Sequence, residues 1–506
     1  MTVTMREMLL PDDAFDQQLI AHVHPPDWVN PTPQGKYNLV VLGAGTAGLV
    51  SAGGTGGLGG KVALIEKALM GGDCLNLGCV PSKAVIRAAR AIYDARQVDA
   101  VQFNQTAQIQ FAKAMARMRR LRAEIAPHDS AQRFTNEFNV DVFIGDGKFI
   151  SRDEIEVAGQ RLRFDRAVIA TGARAAVPPI AGLQEAGYYT NETIFTLTSL
   201  PARLAVIGAG PIGCELAQAW QRFGSQVVVI DLDEVLPRED RDVAAIVQQQ
   251  MEREGVEFLL NANIVRAEQR NETRALIVAQ QGTERVVLCD AILVATGRTP
   301  NVDGLGLEVA EVKFSKHGVA VDDRLRTSNP RIYAAGDVCS QFKFTHAADA
   351  MARNVIANAF FFGRRKVSAL TIPWCTFTDP EVAHVGYSEP EAQRAEFAVA
   401  TITQPFEDVD RAVLDGETAG LARVHYDTST GKILGGTIVA RHAGEMIGQL
   451  TQAITMGLKM SALANTIQPY PVQADALKKI GDVYMRTKLT PTVRTIFQKW
   501  FAWRRR

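Results

Sequence analysis

Two thiols stand five residues apart in the segment Gly71-Gly72-Asp73-Cys74-Leu75-Asn76-Leu77-Gly78-Cys79-Val80-Pro81-Ser82-Lys83. Cysteines at this spacing at the start of a helix can close a small disulfide ring, and the helix N-terminus lowers a thiol's pKa toward the reactive thiolate. Metal ligation is a competing chemistry, yet no second cysteine or histidine pair stands at ligand spacing beside them. Two thiols with no joint role are the remaining alternative. The other cysteines, Cys214, Cys289, Cys339 and Cys375, are isolated, and each reads as a small buried apolar residue.

The elements around this segment repeat. Tyr37-Asn38-Leu39-Val40-Val41-Leu42 reads as a buried strand leading into a turn with Gly43, Gly45 and Gly48. Leu204-Ala205-Val206-Ile207 leads in the same way into Gly208, Gly210 and Gly213. In each unit a second apolar strand ends in an acid 23 residues after the first glycine, Glu66 and Asp231. The first glycine permits the tight bend, the second lets the backbone approach a pyrophosphate, and the third lets helix pack on strand. The helix N-terminus then faces the phosphates, and the acid can accept from ribose hydroxyls. Ala170-Thr171-Gly172 and Ala295-Thr296-Gly297 close two further apolar strands. One such turn is weak evidence; two with matching strands and acids predict two dinucleotide-binding domains.

The second unit also bears on the coenzyme. NADPH selection needs cations near the strand end for the 2′-phosphate. The strand ends in Asp231-Leu232-Asp233-Glu234, with Arg238 only later, so NADH is favoured over NADPH. The helix after the first turn contains Gly53, Gly54, Gly56, Gly57, Gly59 and Gly60. Each glycine inside a helix costs roughly 1 kcal/mol relative to alanine, which suggests a loosened helix in close contact with its neighbours.

At 506 residues the chain predicts several domains. Lys+Arg and Asp+Glu balance at 55 each, which points away from nucleic acid. No basic region followed by an apolar stretch opens the chain, and no run approaches the roughly 18 apolar residues of a membrane span. The expected location is the cytoplasm. The domains read as an extension over 1–36, a first dinucleotide domain over 37–173 that resumes over 297–366, and a second over 174–296. A third, α+β, domain spans 367–487, where strand-like runs alternate with helical ones, and a basic aromatic tail spans 488–506. The tail places Val493, Ile496, Phe497, Trp500 and Phe501 on one helical face among cations, with no acid after Asp482. It is a candidate for peripheral contact with an anionic membrane, or for packing against the rest of the protein.

These motifs, with Ala295-Thr296-Gly297-Arg298-Thr299-Pro300-Asn301 and Tyr333-Ala334-Ala335-Gly336-Asp337, resemble the pyridine nucleotide-disulfide oxidoreductases of the glutathione reductase, lipoamide dehydrogenase and mercuric reductase type. The resemblance runs from about Tyr37 to about Tyr484 and lies nearest a mercuric-reductase-like branch. It implies an α/β fold with two Rossmann-like domains and a C-terminal α+β domain that forms a homodimer. The first domain would bind FAD, with Glu66 on the ribose and Asp337 on the ribityl chain. Lys67, Gly72, Thr171 and Gly172 would add contacts to the cofactor, as would Gly297, Arg298 and Gly336. The unit around Asp231 would bind the nicotinamide nucleotide. Lys83 would lie near the flavin and pair with Glu215. Cys79 would then receive electrons from the flavin, and Cys74 would be the interchange thiol.

The family's disulfide reductases carry His-Pro-x-x-x-Glu near the C-terminus, the histidine protonating the departing thiolate. At the matching place stands Tyr470-Pro471-Val472-Gln473-Ala474-Asp475, and the last histidine is His442. Tyrosine, with a reference pKa of about 10, is a poor proton shuttle at neutral pH. Mercuric reductases have a Pro-Tyr pair too, as Pro469-Tyr470, but deliver the metal through adjacent C-terminal cysteines, and none follows Cys375. The expected function is thus an NAD(P)H-dependent FAD enzyme whose cysteine pair passes electrons to a metal ion or other non-thiol acceptor. A quinone or dihydrolipoamide-type disulfide reductase is the alternative, and a non-enzymatic FAD-binding sensor or membrane-associated scaffold is the reading from another class.

Overall fold

A computed structural model describes residues 5–96 and 106–506. It divides into two compact units, Met1–Leu236 with Glu254–Leu370, and Pro237–Arg253 with Thr371–Arg506.

The first unit holds both glycine turns. Its larger sheet places strands Val140–Ile144, Val62–Glu66, Lys36–Leu42 and Gln160–Ile169 side by side and parallel, with Ile332–Ala334 beyond. Glu154–Val157 and Gly147–Phe149 extend it antiparallel. A second parallel sheet runs Glu257–Leu259, Gln226–Ile230, Arg203–Ile207 and Ala291–Val294. Strand Val62–Glu66 is apolar and buried from Val62 to Ile65, as expected of a parallel strand covered on both faces, and ends in the acid Glu66. Between the two halves, Ala173–Ala175 pairs antiparallel with Arg298–Pro300. Thr171 Oγ1 donates to the carbonyl of Asn301 at 2.7 Å, and Thr296 Oγ1 to that of Ala176 at 2.9 Å. The two Ala-Thr-Gly repeats therefore meet at the crossover between the nucleotide domains.

Gly53, Gly54, Gly56 and Gly57 lie in a regular helix, Thr46–Gly57. Gly59, in the left-handed region at φ +87°, and Gly60 follow its end, so the helix holds fewer glycines than the sequence suggests. Packing explains Gly54 and Gly56. A Cβ on Gly56 would lie 2.4 Å from the carbonyl oxygen of Phe138, and one on Gly54 would lie 2.7 Å from Ile356 Cδ1. The helix is wedged between Ala131–Phe138 and Thr345–Phe360, so the propensity it forgoes allows this close approach.

The extension packs on the first domain. Asp13 caps helix Ala14–Val23 through the backbone N–H groups of Phe15 and Asp16. Beyond the helix, Trp28 Nε1 donates to the carbonyl of Val142 at 3.1 Å, and Asn30 exchanges two hydrogen bonds with Ile144. Val140–Ile144 is an edge strand, so this stretch covers backbone groups that would otherwise be open to pairing.

The second unit is an antiparallel five-stranded sheet, in the order Trp374–Thr376, Glu381–Gly386, Ile433–Ala440, Leu421–Asp427, Val399–Pro405. Helices Ala443–Thr455, Met460–Asn465 and Asp475–Thr487 close its core around Val424, Leu450, Leu477 and Ile480. Helix Arg241–Arg253, which the sequence places within 174–296, groups with this unit. Arg423 reaches Asp240 at 2.8 Å and pairs with Asp242, and Trp374 Nε1 donates to Glu239. The tail forms helix Pro491–Arg504 with no buried residue. Among the described residues no helix is long and apolar enough to cross a membrane.

Candidate active site

The turns come first, because they hold whatever the thiols exchange electrons with. Gly43 has φ +103°, and a Cβ there would sit 2.4 Å from the carbonyl oxygen of Ala170. Gly208 repeats this with φ +113° and Ala295. Each third glycine, Gly48 and Gly213, leaves no room for a side chain, a Cβ falling 1.8 and 1.9 Å from the oxygens of Gly43 and Gly208. The middle glycines differ: nothing lies within 4 Å of a Cβ on Gly210, and only Gly72 Cα, at 3.8 Å, approaches one on Gly45. Both are helix N-caps with no side-chain hydrogen bond, so the first-turn N–H groups stay available to a phosphate.

The two acids are fixed alike. Glu66 accepts from Ala44 N at 2.7 Å and Ala68 N at 2.8 Å, and Asp231 accepts from Ala209 N at 2.5 Å and Asp233 N at 2.9 Å. Each carboxylate oxygen keeps a lone pair for a ribose hydroxyl. Residues and cradle fit two dinucleotides. Lys67 is exposed just past strand Val62–Glu66. Arg298 forms ion pairs with Asp73 and, at 3.4 Å, with Asp337. Burial pushes the Asp337 carboxyl up while Arg298 pulls it down. Gly336 and Asp337 follow strand Ile332–Ala334, and Gly172 and Gly297 lie at the crossover.

Cys74 lies in the short helix Gly72–Asn76, and Cys79 opens the helix Cys79–Arg96. Both are free thiols, Cys74 half-buried and Cys79 exposed. The Cys74 thiol hydrogen-bonds Cys79, and with Thr345 Oγ1 at 3.4 Å and the charge of Lys83 it lowers Cys79 to about 6. The same contact, with burial, pushes Cys74 up. One sulfur is thus set to be a thiolate and the other a thiol. Thr345 is separated from Cys79 by 266 residues, so no spacing rule could have found it.

Lys83 Nζ meets Glu215 Oε2 at 2.7 Å, with the carboxylate side chain 7% exposed. Glu215 stands on helix Pro211–Phe223 of the second nucleotide domain, two residues past Gly213. Arg96 Nη1 also donates to the carbonyl of Arg222, whose guanidinium is buried against Glu254. The helix that opens with Cys79 is therefore fastened to the other nucleotide domain at both ends. Lys83→Met removes the cation nearest the thiolate while Glu215 stays. The pH at which the reduced enzyme loses thiolate absorbance should rise from about 6. Because the Cys79 pKa is lowered, the thiolate is present above that midpoint and lost as pH falls through it. A spectroscopic pH titration of both forms checks this; an unmoved midpoint contradicts it.

In the second unit the Tyr470 hydroxyl donates to Asp410 Oδ2 at 2.9 Å. That hydrogen bond holds the phenol above its usual range, making it a weaker acid still. Asp475, at the place of the family's glutamate, occupies the first turn of helix Asp475–Thr487, where the helix dipole favours it. Asp410 carried no motif and was not anticipated. Among the described residues no cluster of three or more His, Cys, Asp or Glu side chains is placed to hold a metal ion.

Comparison with known proteins gives the same outline. The pyridine nucleotide-disulphide oxidoreductase family matches residues 37–352, and its dimerisation domain matches 372–480. A mercuric reductase from Lysinibacillus sphaericus is 34% identical over 445 residues, 87% of this chain and 81% of that protein. A dihydrolipoyl dehydrogenase from Thermus scotoductus is 32% identical, over 88% of this chain and 97% of that protein. Among solved structures, the HOCl-induced flavoprotein disulfide reductase RclA from Escherichia coli superposes with a TM-score of 0.79 at 28% identity. That match covers 88% of this chain and 99% of that one.

Proposed function

From the premise that this chain belongs to the pyridine nucleotide-disulphide oxidoreductases, an FAD-binding, NAD(P)H-dependent enzyme family with a dimerisation domain, we propose that it passes electrons through Cys79 and Cys74 to a soft metal ion. The observation that carries this is the pairing of a lowered Cys79 thiolate with a Cys74 thiol beside the Lys83–Glu215 pair. NADH is the proposed donor, because Asp231, Asp233 and Glu234 would repel a 2′-phosphate. Bound FAD would accept a hydride from the nicotinamide and return the electron pair to sulfur.

In the reductive half, the S–S bond breaks and NADH becomes NAD⁺, the hydride supplying two electrons and the one proton that leaves the pair as a Cys79 thiolate and a Cys74 thiol. In the oxidative half, the two sulfurs bind the metal ion as thiolates, releasing that proton. Two electrons pass to one Hg(II), or one to each of two Cu(II), and the S–S bond reforms. Thiolates select soft ions, and such an acceptor needs no proton from residue 470. Mercuric reductases bear their acceptor in their name, and RclA has been solved as a Cu(II) complex; Hg(II) is the first ion to try. The proposal also takes the Thr371–Arg506 part as the surface between two copies, and includes no membrane contact through the tail.

The test offers the anaerobically reduced enzyme Hg(II), Cu(II), a quinone, glutathione disulfide and lipoamide. General acid–base help is worth about 10²–10⁴-fold, so the two disulfides should reoxidise it slower than Hg(II) by that order. Rapid reoxidation by lipoamide would overturn the metal reading and favour the dihydrolipoamide one.

A further inference from the structure

The family match begins at residue 37, yet the preceding segment is bound to the turn that carries Cys74. Met70 N donates to the carbonyl of Val23 at 3.0 Å, and His24 Nδ1 lies against the carbonyl of Ala68. Deeper in, Asp16 Oδ1 meets Arg122 Nη2 at 2.6 Å, with side chains 0% and 2% exposed. The other arm of the same guanidinium, Nη1, donates to the carbonyl of Asn76 at 2.9 Å. Asn76 in turn donates from Nδ2 to the carbonyls of Met70 and Gly72, at 3.0 and 2.9 Å. A continuous chain of hydrogen bonds thus runs from the extension through Arg122 to both flanks of the segment, two residues from Cys74.

A buried ion pair is weak evidence for stability, since apolar residues of similar volume often serve as well. What apolar residues cannot supply is the second arm. A guanidinium is a rigid fork, so fixing one arm on Asp16 fixes where the other meets Asn76. The adjacent pair, Arg119 with Asp13 at 2.6 Å, joins the same two helices but makes no hydrogen bond to residues 68–76. It provides an internal control.

We propose that the N-terminal extension is a positioning device for the redox pair, with Asp16 and Arg122 as its positioning residues. Through Asn76 they hold the Cys74 turn at the separation from Cys79 that lets the ring open and close. The inference rests on the proposed role of the cysteine pair. A misplacement of 1 Å can cost about 100-fold in rate.

The experiment uses the full-length FAD-loaded enzyme as native, Asp16→Asn, Arg122→Lys, Arg119→Gln and Cys74→Ser forms. Three readouts separate the possibilities: the dithiol–disulfide equilibrium against dithiothreitol, NADH-dependent Hg(II) reduction, and transhydrogenation from NADH to thionicotinamide adenine dinucleotide. The last needs the flavin but not the disulfide. Asp16→Asn and Arg122→Lys should each shift the equilibrium by about tenfold or more and slow Hg(II) reduction about 10- to 100-fold. Transhydrogenation should hold within about twofold, and Arg119→Gln, which breaks the Arg119–Asp13 pair but leaves the Asp13 cap, should move none of the three. An unchanged equilibrium in Arg122→Lys, or a parallel fall in all three readouts with loss of FAD, overturns the inference. Full Hg(II) reduction by Cys74→Ser would instead overturn the proposed function itself.

Discussion

Cys79→Ser is expected to lower NADH-dependent metal reduction about 10³-fold or more while FAD stays bound and is still reduced by NADH. Removing a group that forms the covalent link between two half-reactions costs far more than weakening a hydrogen bond, and losses near 10⁶ are known for other nucleophiles. The serine hydroxyl cannot form the S–S bond and does not ionise near neutral pH, so no thiolate faces the flavin. Cys74→Ser should lose turnover as severely for another reason. The introduced hydroxyl can still donate to Cys79 in place of the Cys74 thiol, and Thr345 and Lys83 remain, so a thiolate–flavin charge-transfer band should appear without added NADH. A flavin that reduced quinone or oxygen directly would leave physiological turnover intact in both variants. Measuring turnover and visible spectra of the two side by side separates these outcomes.

Gly48→Val and Gly213→Val should fail differently. In each turn a Cβ would fall within 2 Å of a backbone oxygen, at 1.8 Å for Gly48 and 1.9 Å for Gly213. Real atoms cannot meet that closely, so the turn must open and its helix N-terminus must leave the pyrophosphate. If the first turn holds FAD, Gly48→Val should purify with little or no flavin. If the second holds NADH, Gly213→Val should keep its flavin yet be reduced by NADH at least about 100-fold more slowly. Dithionite should still reduce it at once. Flavin content per chain and reduction rates check both, and the reverse pattern would exchange the two assignments.

Motifs that act along the chain are legible in the sequence itself. Gly43 to Gly48, Gly208 to Gly213, Glu66 and Asp231 obey spacings set by one strand, one turn and one helix, so sequence alone can report them. The third domain's class followed from its alternation of strand and helix runs. What could not be read depends on segments far apart in the chain. Thr345 reaches Cys79 across 266 residues, and Arg122 joins Asp16 to Asn76 across intervals of 106 and 46. The glycine-rich helix looked like a weak element until Phe138 and Ile356 explained its missing side chains. Tyr470 was found by its family position, but its partner Asp410 lies 60 residues earlier and carries no pattern.

The central claim is that electrons rest on the cysteine pair between donor and acceptor. Rapid anaerobic mixing with a single equivalent of NADH tests it most directly, followed by the absorbance of the flavin and of the thiolate–flavin charge-transfer band. The expected result is a brief loss of flavin colour, then its return as the long-wavelength band grows, with two thiols titratable afterwards. The band should fade as pH is lowered through about 6. A flavin that stays bleached after one equivalent, with no band and no gain in thiols, would contradict it.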